Sequence, residues 1–381
     1  MLEQKQKKTK IAFLLTHPIQ YLSPLFSRIA SEPDIDIVVF YQNDCSLRKH
    51  YDKGFCNTID WDIPLLEGYP YQFLPAIGRR DALGYIKPFS TGLGRRLVSG
   101  KFDVIIIHGY NRPYHWLAMV QSWMLGLRVF IRDEATLISK NRGLIKKLLK
   151  RGFFAMLNQI VAGYLSIGTA NQEYYISNGV SRDRIFMTPY AVDNEFFSKR
   201  AKEASKNTDA LRSQLKLKQG RPIILYASKL QARKRALDLF NAYCQASKSM
   251  NPPPYLLYVG DGELKPNLLE RIDELEDDSV RFLGFRNQSE LPALYALCDV
   301  FVLTSVFEPW GLVVNEAMNA GKAIIVSDQV GSGPDLVKNG ENGYIFPAGD
   351  VEALADCLKK VLANPSDCKR MEQRSAEIIS K

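Results

Sequence analysis

Along this chain, short runs of apolar residues alternate with longer stretches in which apolar positions recur every three or four residues. The runs Ile11 to Leu15, Ile35 to Tyr41, Phe102 to His108, Arg128 to Arg132, Tyr164 to Gly168 and Arg184 to Thr188 predict buried strands in the first half. Pro222 to Ala227, Tyr255 to Val259, Val280 to Leu283, Val300 to Leu303, Ala323 to Val326 and Gly343 to Phe346 predict a second set. Helical spacing between them, as from Gln20 to Ala30 and in Val351 to Ala363 and Pro365 to Lys381, makes each half a βα alternation. The expected fold class is α/β, with two doubly wound Rossmann-like domains. The polar, charged stretch 198–220 reads as a linker with a surface helix, so the domains are expected at 1–197 and 221–381.

One stretch carries candidate chemistry. In FEPWGLVVNEAMNAG, Phe307 to Gly321, Pro309 and Gly311 end the preceding strand and helical spacing resumes at Leu312. Glu308 then lies on the turn, and Glu316 lies about two helical turns into the helix, facing the same side. The unpaired amides of Gly311, Leu312 and Val313 and the positive end of the helix face the same space. Two carboxylates that each grip a polyol, with amides between them, suit a ligand holding a phosphate between two sugars.

The E-x7-E spacing resembles the retaining glycosyltransferases of family 4, which have the GT-B fold of two Rossmann-like domains facing across a cleft. Ile223 to Lys234, IILYASKLQARK, is similar to their strand followed by G-R-L-x-x-x-K. Lys229 stands at the usual Arg, keeping its charge without its planar fork, and Lys234 at the usual Lys. VGDGEL at Val259 to Leu264, VRFLGF at Val280 to Phe285 and Gly331 to Asp335 follow in the family's order. The resemblance implies that Lys229 and Lys234 take the donor diphosphate, Glu316 the ribose, and Glu308 a donor-sugar hydroxyl. Gly311, Leu312, Val313 and Leu283 would complete the donor site. FDVIIIHGYN puts His108 at the residue that approaches the donor sugar, with Asn111 and Arg112 on the rim. Where the family often has a Gly-rich loop this chain has HPIQY, so His17, Gln20 and Tyr21 would line the acceptor side together with Arg132 and Glu134. The family usually continues past the last helix with one that crosses back to the first domain, and this sequence stops at Lys381.

Composition narrows the setting. Six scattered cysteines without C-x2-C spacing read as reduced core thiols, not as a zinc site. There is no apolar run of about 18 residues and no signal-peptide pattern, which predicts a cytoplasmic protein. The pairs Asp34/Asp36 and Asp60/Asp62 read as incidental, not as a metal motif. Of the net charge of +9, almost all falls in residues 1–197, with 25 Lys and Arg against 17 Asp and Glu; residues 198–381 carry 25 against 24. Lys140, Arg142, Lys146, Lys147, Lys150 and Arg151 fall on a helix whose other side carries Leu144, Ile145, Leu148, Leu149, Phe153 and Met156. Such a helix either packs its apolar side on the sheet or docks on an anionic membrane.

These readings converge on a retaining hexosyltransferase with no cofactor and no metal. Its co-substrate would be a UDP- or GDP-sugar, and its acceptor a glycolipid or polysaccharide at the inner face of the membrane; no nucleic-acid partner is expected. The alternatives are a non-catalytic membrane-surface subunit that keeps the nucleotide-sugar pocket, and a sugar-nucleotide epimerase on the same fold.

Overall fold

The structure is a computed structural model and describes residues 8–77, 84–86, 89–138, 143–275 and 278–381. The chain divides into two units. The first comprises Met1–His50 and Ile63–Tyr190, the second Tyr51–Asp62 and Ala191–Lys381. The 51–62 segment therefore belongs to the second unit although it interrupts the first in sequence.

The first unit is built on a parallel sheet of β1 (Thr9–Leu15), β2 (Ile35–Tyr41), β3 (Tyr71–Phe73), β4 (Val104–His108), β5 (Arg128–Arg132), β6 (Gly163–Ser166) and β7 (Ile185–Met187). Their spatial order is β7-β6-β5-β4-β1-β2-β3. The order reverses between β4 and β1, so the ends of these two neighbours diverge into a crevice where open α/β sheets take ligands. Ala12, Leu14, Ile105, Ile107, Val129 and Ile131 are completely buried, which is why these strands read as continuous apolar runs instead of alternating ones.

The second unit repeats the plan with β8 (Ile223–Ala227), β9 (Tyr255–Val259), β10 (Val280–Phe282), β11 (Val300–Leu303), β12 (Ala323–Ser327) and β13 (Gly343–Phe346), in the order β10-β9-β8-β11-β12-β13. All neighbouring pairs are parallel. Alternate residues feed separate cores: Ile224, Tyr226 and Val302 on one face, Leu225, Phe301 and Leu303 on the other. The switch point lies between β8 and β11, the two strands whose following loops carry the candidate donor residues.

Stretch 198–220, expected as a linker, contains most of the helix Asn194–Ser205 and the helix Thr208–Gln214. The cysteines are all free thiols, and Cys298, Cys357 and Cys368 are buried as expected. Cys56 is not a core thiol: it is exposed, with φ 50, in the turn of the 51–62 segment.

Candidate active site

In the second unit the loops after β8 and β11 are stitched together by their backbones. The Thr304 hydroxyl donates to the carbonyls of Lys234 (2.8 Å) and Arg235 (3.0 Å), and the Val306 amide donates to the Arg233 carbonyl at 2.9 Å. The Arg233 guanidinium donates to the Phe307 carbonyl at 2.9 Å. This lacing places the buried Lys234 ammonium in direct contact with the Glu308 carboxylate, with Arg233 3.7 Å from the same oxygen. Burial, then the charges of Arg233 and Lys229, draw the Lys234 ammonium down to about 7.

Glu308 is itself held by a third loop. Its amide donates to Gln329 (3.1 Å), and Gly331 donates to its carbonyl (2.9 Å). A Cβ at residue 331 would lie 1.9 Å from the Pro309 carbonyl oxygen, so only glycine lets these loops meet. Gly311, at φ 93, turns the chain into the helix Leu312–Asn319. A side chain there would crowd Leu303, Glu308 and Val330 as well as strain the backbone. No side chain caps this helix, so the amides of Gly311, Leu312 and Val313 are in the first turn, where helices leave amides available to a ligand.

Glu316, one of the candidate pair, is buried in that helix and accepts from Tyr295 Oη at 2.7 Å. Burial raises its carboxyl to about 7, with the Tyr295 hydrogen bond acting the other way. It is thus a buried, hydrogen-bonded acceptor and not a solvated helix residue. Trp310 and Asn315, buried between the two glutamates in sequence, are joined by an indole-to-amide hydrogen bond of 2.9 Å that stiffens the turn.

Lys229 lies on the same loop as Lys234 and is paired, 2.9 Å to each carboxylate oxygen, with Asp52 of the 51–62 segment. Its ammonium also lies 4.4 Å from the centre of the Phe55 ring. Burial pushes the Asp52 carboxyl up, but the Lys229 hydrogen bond and charge, with the amides of Phe55 and Gly54, outweigh it and hold it below the ordinary range. On the same segment the Asp62 carboxylate accepts from the Ser289 amide at 3.2 Å, and the Asp60 backbone carbonyl accepts from the Asn287 side chain at 2.6 Å. Leu283, also expected in the donor site, packs part of its side chain on the core, and its amide donates to the Tyr258 carbonyl at 2.8 Å as β10 continues its pairing with β9.

The first unit gathers a separate polar cluster at its own switch point. His108 ends β4, Arg132 ends β5, and His17 and Tyr21 follow β1. Tyr190 joins them: its hydroxyl donates to Glu134 at 2.7 Å, lies 3.4 Å from His108 Nε2, and its ring lies 4.8 Å from the Arg132 guanidinium. Tyr21 donates to the same Glu134 oxygen at 3.2 Å. Burial, then the charge of Arg132, lowers His108 to about 3, so its imidazole is neutral. His17 is lowered to about 4 by burial and then Arg112. Gln20 shares the turn with His17 and Tyr21 and is half-buried. Asn111 is exposed beside Arg112, which donates to the Gly84 carbonyl at 2.9 Å.

Two more residues bear on this cluster. Asp133, between Arg132 and Glu134, turns inward to Tyr175 and Asn171 and has a structural role. Tyr190 is the residue on which the cluster converges, through Glu134, His108 and Arg132. Among the described residues, no group of three or more His, Cys, Asp or Glu is arranged to hold a metal ion.

The comparisons agree with this architecture. Residues 207–378 match the family glycosyl transferases group 1. The N-acetyl-alpha-D-glucosaminyl L-malate synthase of Bacillus anthracis is 25% identical over 284 residues, covering 73% of this chain and 70% of its own length. The lipopolysaccharide core biosynthesis glycosyltransferase LpsE of Rhizobium meliloti is 30% identical over 160 residues, covering 42% of this chain and 44% of its own. Among solved structures, Anabaena HepE in complex with UDP superimposes with a TM-score of 0.71 at 20% identity, over 98% of this chain and 95% of that one. The two parallel sheets are thus a fold that glycosyltransferases use, and it is within the second unit that residues 207–378 match the glycosyl transferases group 1 family.

Proposed function

We propose that this chain transfers a sugar, with retention of anomeric configuration, from a nucleotide-sugar to a lipid-linked or polysaccharide acceptor at an anionic membrane surface. The observation that carries the donor half is the contact of buried Lys234 with Glu308 at the mouth of the β8/β11 switch point. Lys229 and Lys234 take the diphosphate as two point charges and neutralise it as it leaves, the role a metal serves in other transferases. Glu308, exchanging Lys234 for a donor-sugar hydroxyl, orients the sugar, and Glu316 accepts from the ribose hydroxyls. The first-turn amides at Gly311 to Val313 complete the phosphate and sugar contacts.

In the first unit, neutral His108 can hydrogen-bond a sugar hydroxyl without competing for phosphate, while Tyr21, Arg132 and Glu134 offer donors and an acceptor to the second substrate. Retention would follow from same-face attack as the diphosphate leaves, since no carboxylate of this chain stands out as a nucleophile. The relatives support a sugar-transfer reading through their names alone, and HepE was solved with UDP.

The helix Leu144–Leu157 supports the membrane half. Leu144, Ile145, Leu148 and Leu149 are 78%, 75%, 67% and 69% exposed, so the first two turns do not pack their apolar residues on the sheet. Only Phe153, Phe154 and Leu157, further along, reach the core. Lys146, Lys147 and Arg151 are exposed beside the bare leucines, whereas Lys150 turns inward over the Tyr110, Phe153 and Phe154 rings. Lys140 and Arg142 lie outside the described residues. An exposed apolar tip flanked by cations matches the interface of an anionic bilayer. No described helix is long and apolar enough to cross a membrane.

A thermal-shift screen of UDP, GDP and their sugars, followed by turnover of the stabilising donor with a glycolipid acceptor, tests the proposal. Stabilisation by one nucleotide family and an α-linked product from an α-linked donor is the expected result; inversion at the anomeric carbon would overturn the retaining reading.

A further inference from the structure

Lys229 is a proposed phosphate ligand, and its ammonium already carries an anion supplied by the chain: both oxygens of Asp52, at 2.9 Å. Asp52 comes from 177 positions away and belongs to the short segment 51–62, which is part of the second unit although distant from it in sequence. Its attachments include the Lys229 pair, the Phe55 ring packed edge-on against Phe285 at 5.0 Å, and hydrogen bonds from Asn287 to the Asp60 carbonyl and from Ser289 to the Asp62 carboxylate. Asp52 also organises its own turn, accepting from the amides of Gly54 (2.7 Å) and Phe55 (3.0 Å). Gly54 is pressed against Lys229 so closely that a Cβ would meet its Nζ at 2.9 Å, and the turn thereby lies over the ammonium. We propose that Asp52 holds the place of a donor phosphate on Lys229, and that segment 51–62 is an intramolecular competitor which a nucleoside diphosphate must displace.

The inference rests on the reading of Lys229 as a phosphate ligand. Lys229 and Asp52 are both partly exposed, at 31% and 23%, so their pair is weak enough to exchange. A diphosphate brings more charge than one carboxylate and can engage Lys234 in the same step. Asp52 lowers donor affinity by holding Lys229, and so raises the donor concentration at which the site fills.

Calorimetry with UDP and GDP on the full chain, for wild type, Asp52→Asn, Lys229→Met and the double variant, tests this. Asp52→Asn is expected to tighten binding of the preferred nucleotide about three- to fivefold. In the Lys229→Met background the same change should have no effect. Hydrogen exchange should show the Gly54 and Phe55 amides losing protection when nucleotide binds wild type. Equal or weaker binding by Asp52→Asn, or the same gain with and without Lys229, would overturn the competition while leaving the donor site in place. If Lys229→Met and Lys234→Met both bind as wild type, the donor reading itself fails, and the competition fails with it.

Discussion

The Lys234 ammonium and the Glu308 carboxylate, 74 positions apart in sequence, are in direct contact, and each is the other's counter-ion in the second unit. A cation suited to phosphate and a carboxylate suited to a sugar hydroxyl therefore neutralise each other. On the proposed donor reading, both change partner when a nucleotide-sugar binds.

Removing either partner should separate their roles. Lys234→Met is expected to weaken nucleoside-diphosphate binding at least tenfold and to lower kcat, because it removes a buried charge opposite a phosphate. Glu308→Gln should leave nucleoside-diphosphate affinity within a few-fold but lower kcat/KM for the sugar nucleotide by about two orders of magnitude. Calorimetry with the nucleotide beside steady-state rates distinguishes the two patterns. Identical losses in both measurements for both variants would assign them a single structural role.

Glu316 sets a pH dependence of stability. Its carboxyl in the folded protein is raised from 4.5 to about 7, so the fold favours the protonated form. The stability this gives is complete below the unfolded value and is lost as pH rises through about 7. By the usual conversion the loss is about 3 kcal/mol. Glu316→Gln, with its neutral amide still able to accept from Tyr295, should melt higher than wild type at pH 8, with the gap closing by pH 5. It should also bind nucleotide more weakly, since the ribose loses a charged acceptor. A wild-type melting curve that does not shift between pH 5 and pH 8 relative to the variant would contradict this.

Turnover should persist in excess EDTA. Two lysines on one loop can balance a leaving diphosphate without a divalent ion. Complete loss on chelation with recovery on adding Mn²⁺ would show that the ion is needed.

Membrane docking through Leu144–Leu157 should respond to both charge and apolar area. Reversing Lys146 and Lys147 to Glu changes the interaction with an anionic surface by about 4 kcal/mol, at about 1 kcal/mol per charge. Replacing Leu148 and Leu149 with Gln removes apolar area already in water, so the fold should be little affected. Both double variants are expected to stop sedimenting with phosphatidylglycerol vesicles at low salt while binding nucleotide as wild type does. Vesicle binding equal to wild type in both would rule out this helix as the anchor.

Much of this protein can be read from sequence because the relevant physics is local. Strands such as Ile223–Ala227 and Val300–Leu303 are covered on both faces, so they appear as unbroken apolar runs. The break at Pro309 and Gly311 marks a strand-to-helix turn, and the fixed rise of a helix then relates Glu308 to Glu316. The parallel α/β class, the two repeats and the glutamate pair follow from these regularities. Partners set by long-range packing leave no such trace. Only the tertiary structure brings Asp52 to Lys229, Lys234 to Glu308 and Tyr190 to Glu134 and His108, since strand order decides which loop ends become neighbours. It also shows which residues of the Leu144–Leu157 helix are covered, which an amphipathic pattern alone does not say. Amphipathicity gives a helix an apolar side; whether a neighbour covers that side depends on the rest of the fold, and here the first two turns are uncovered.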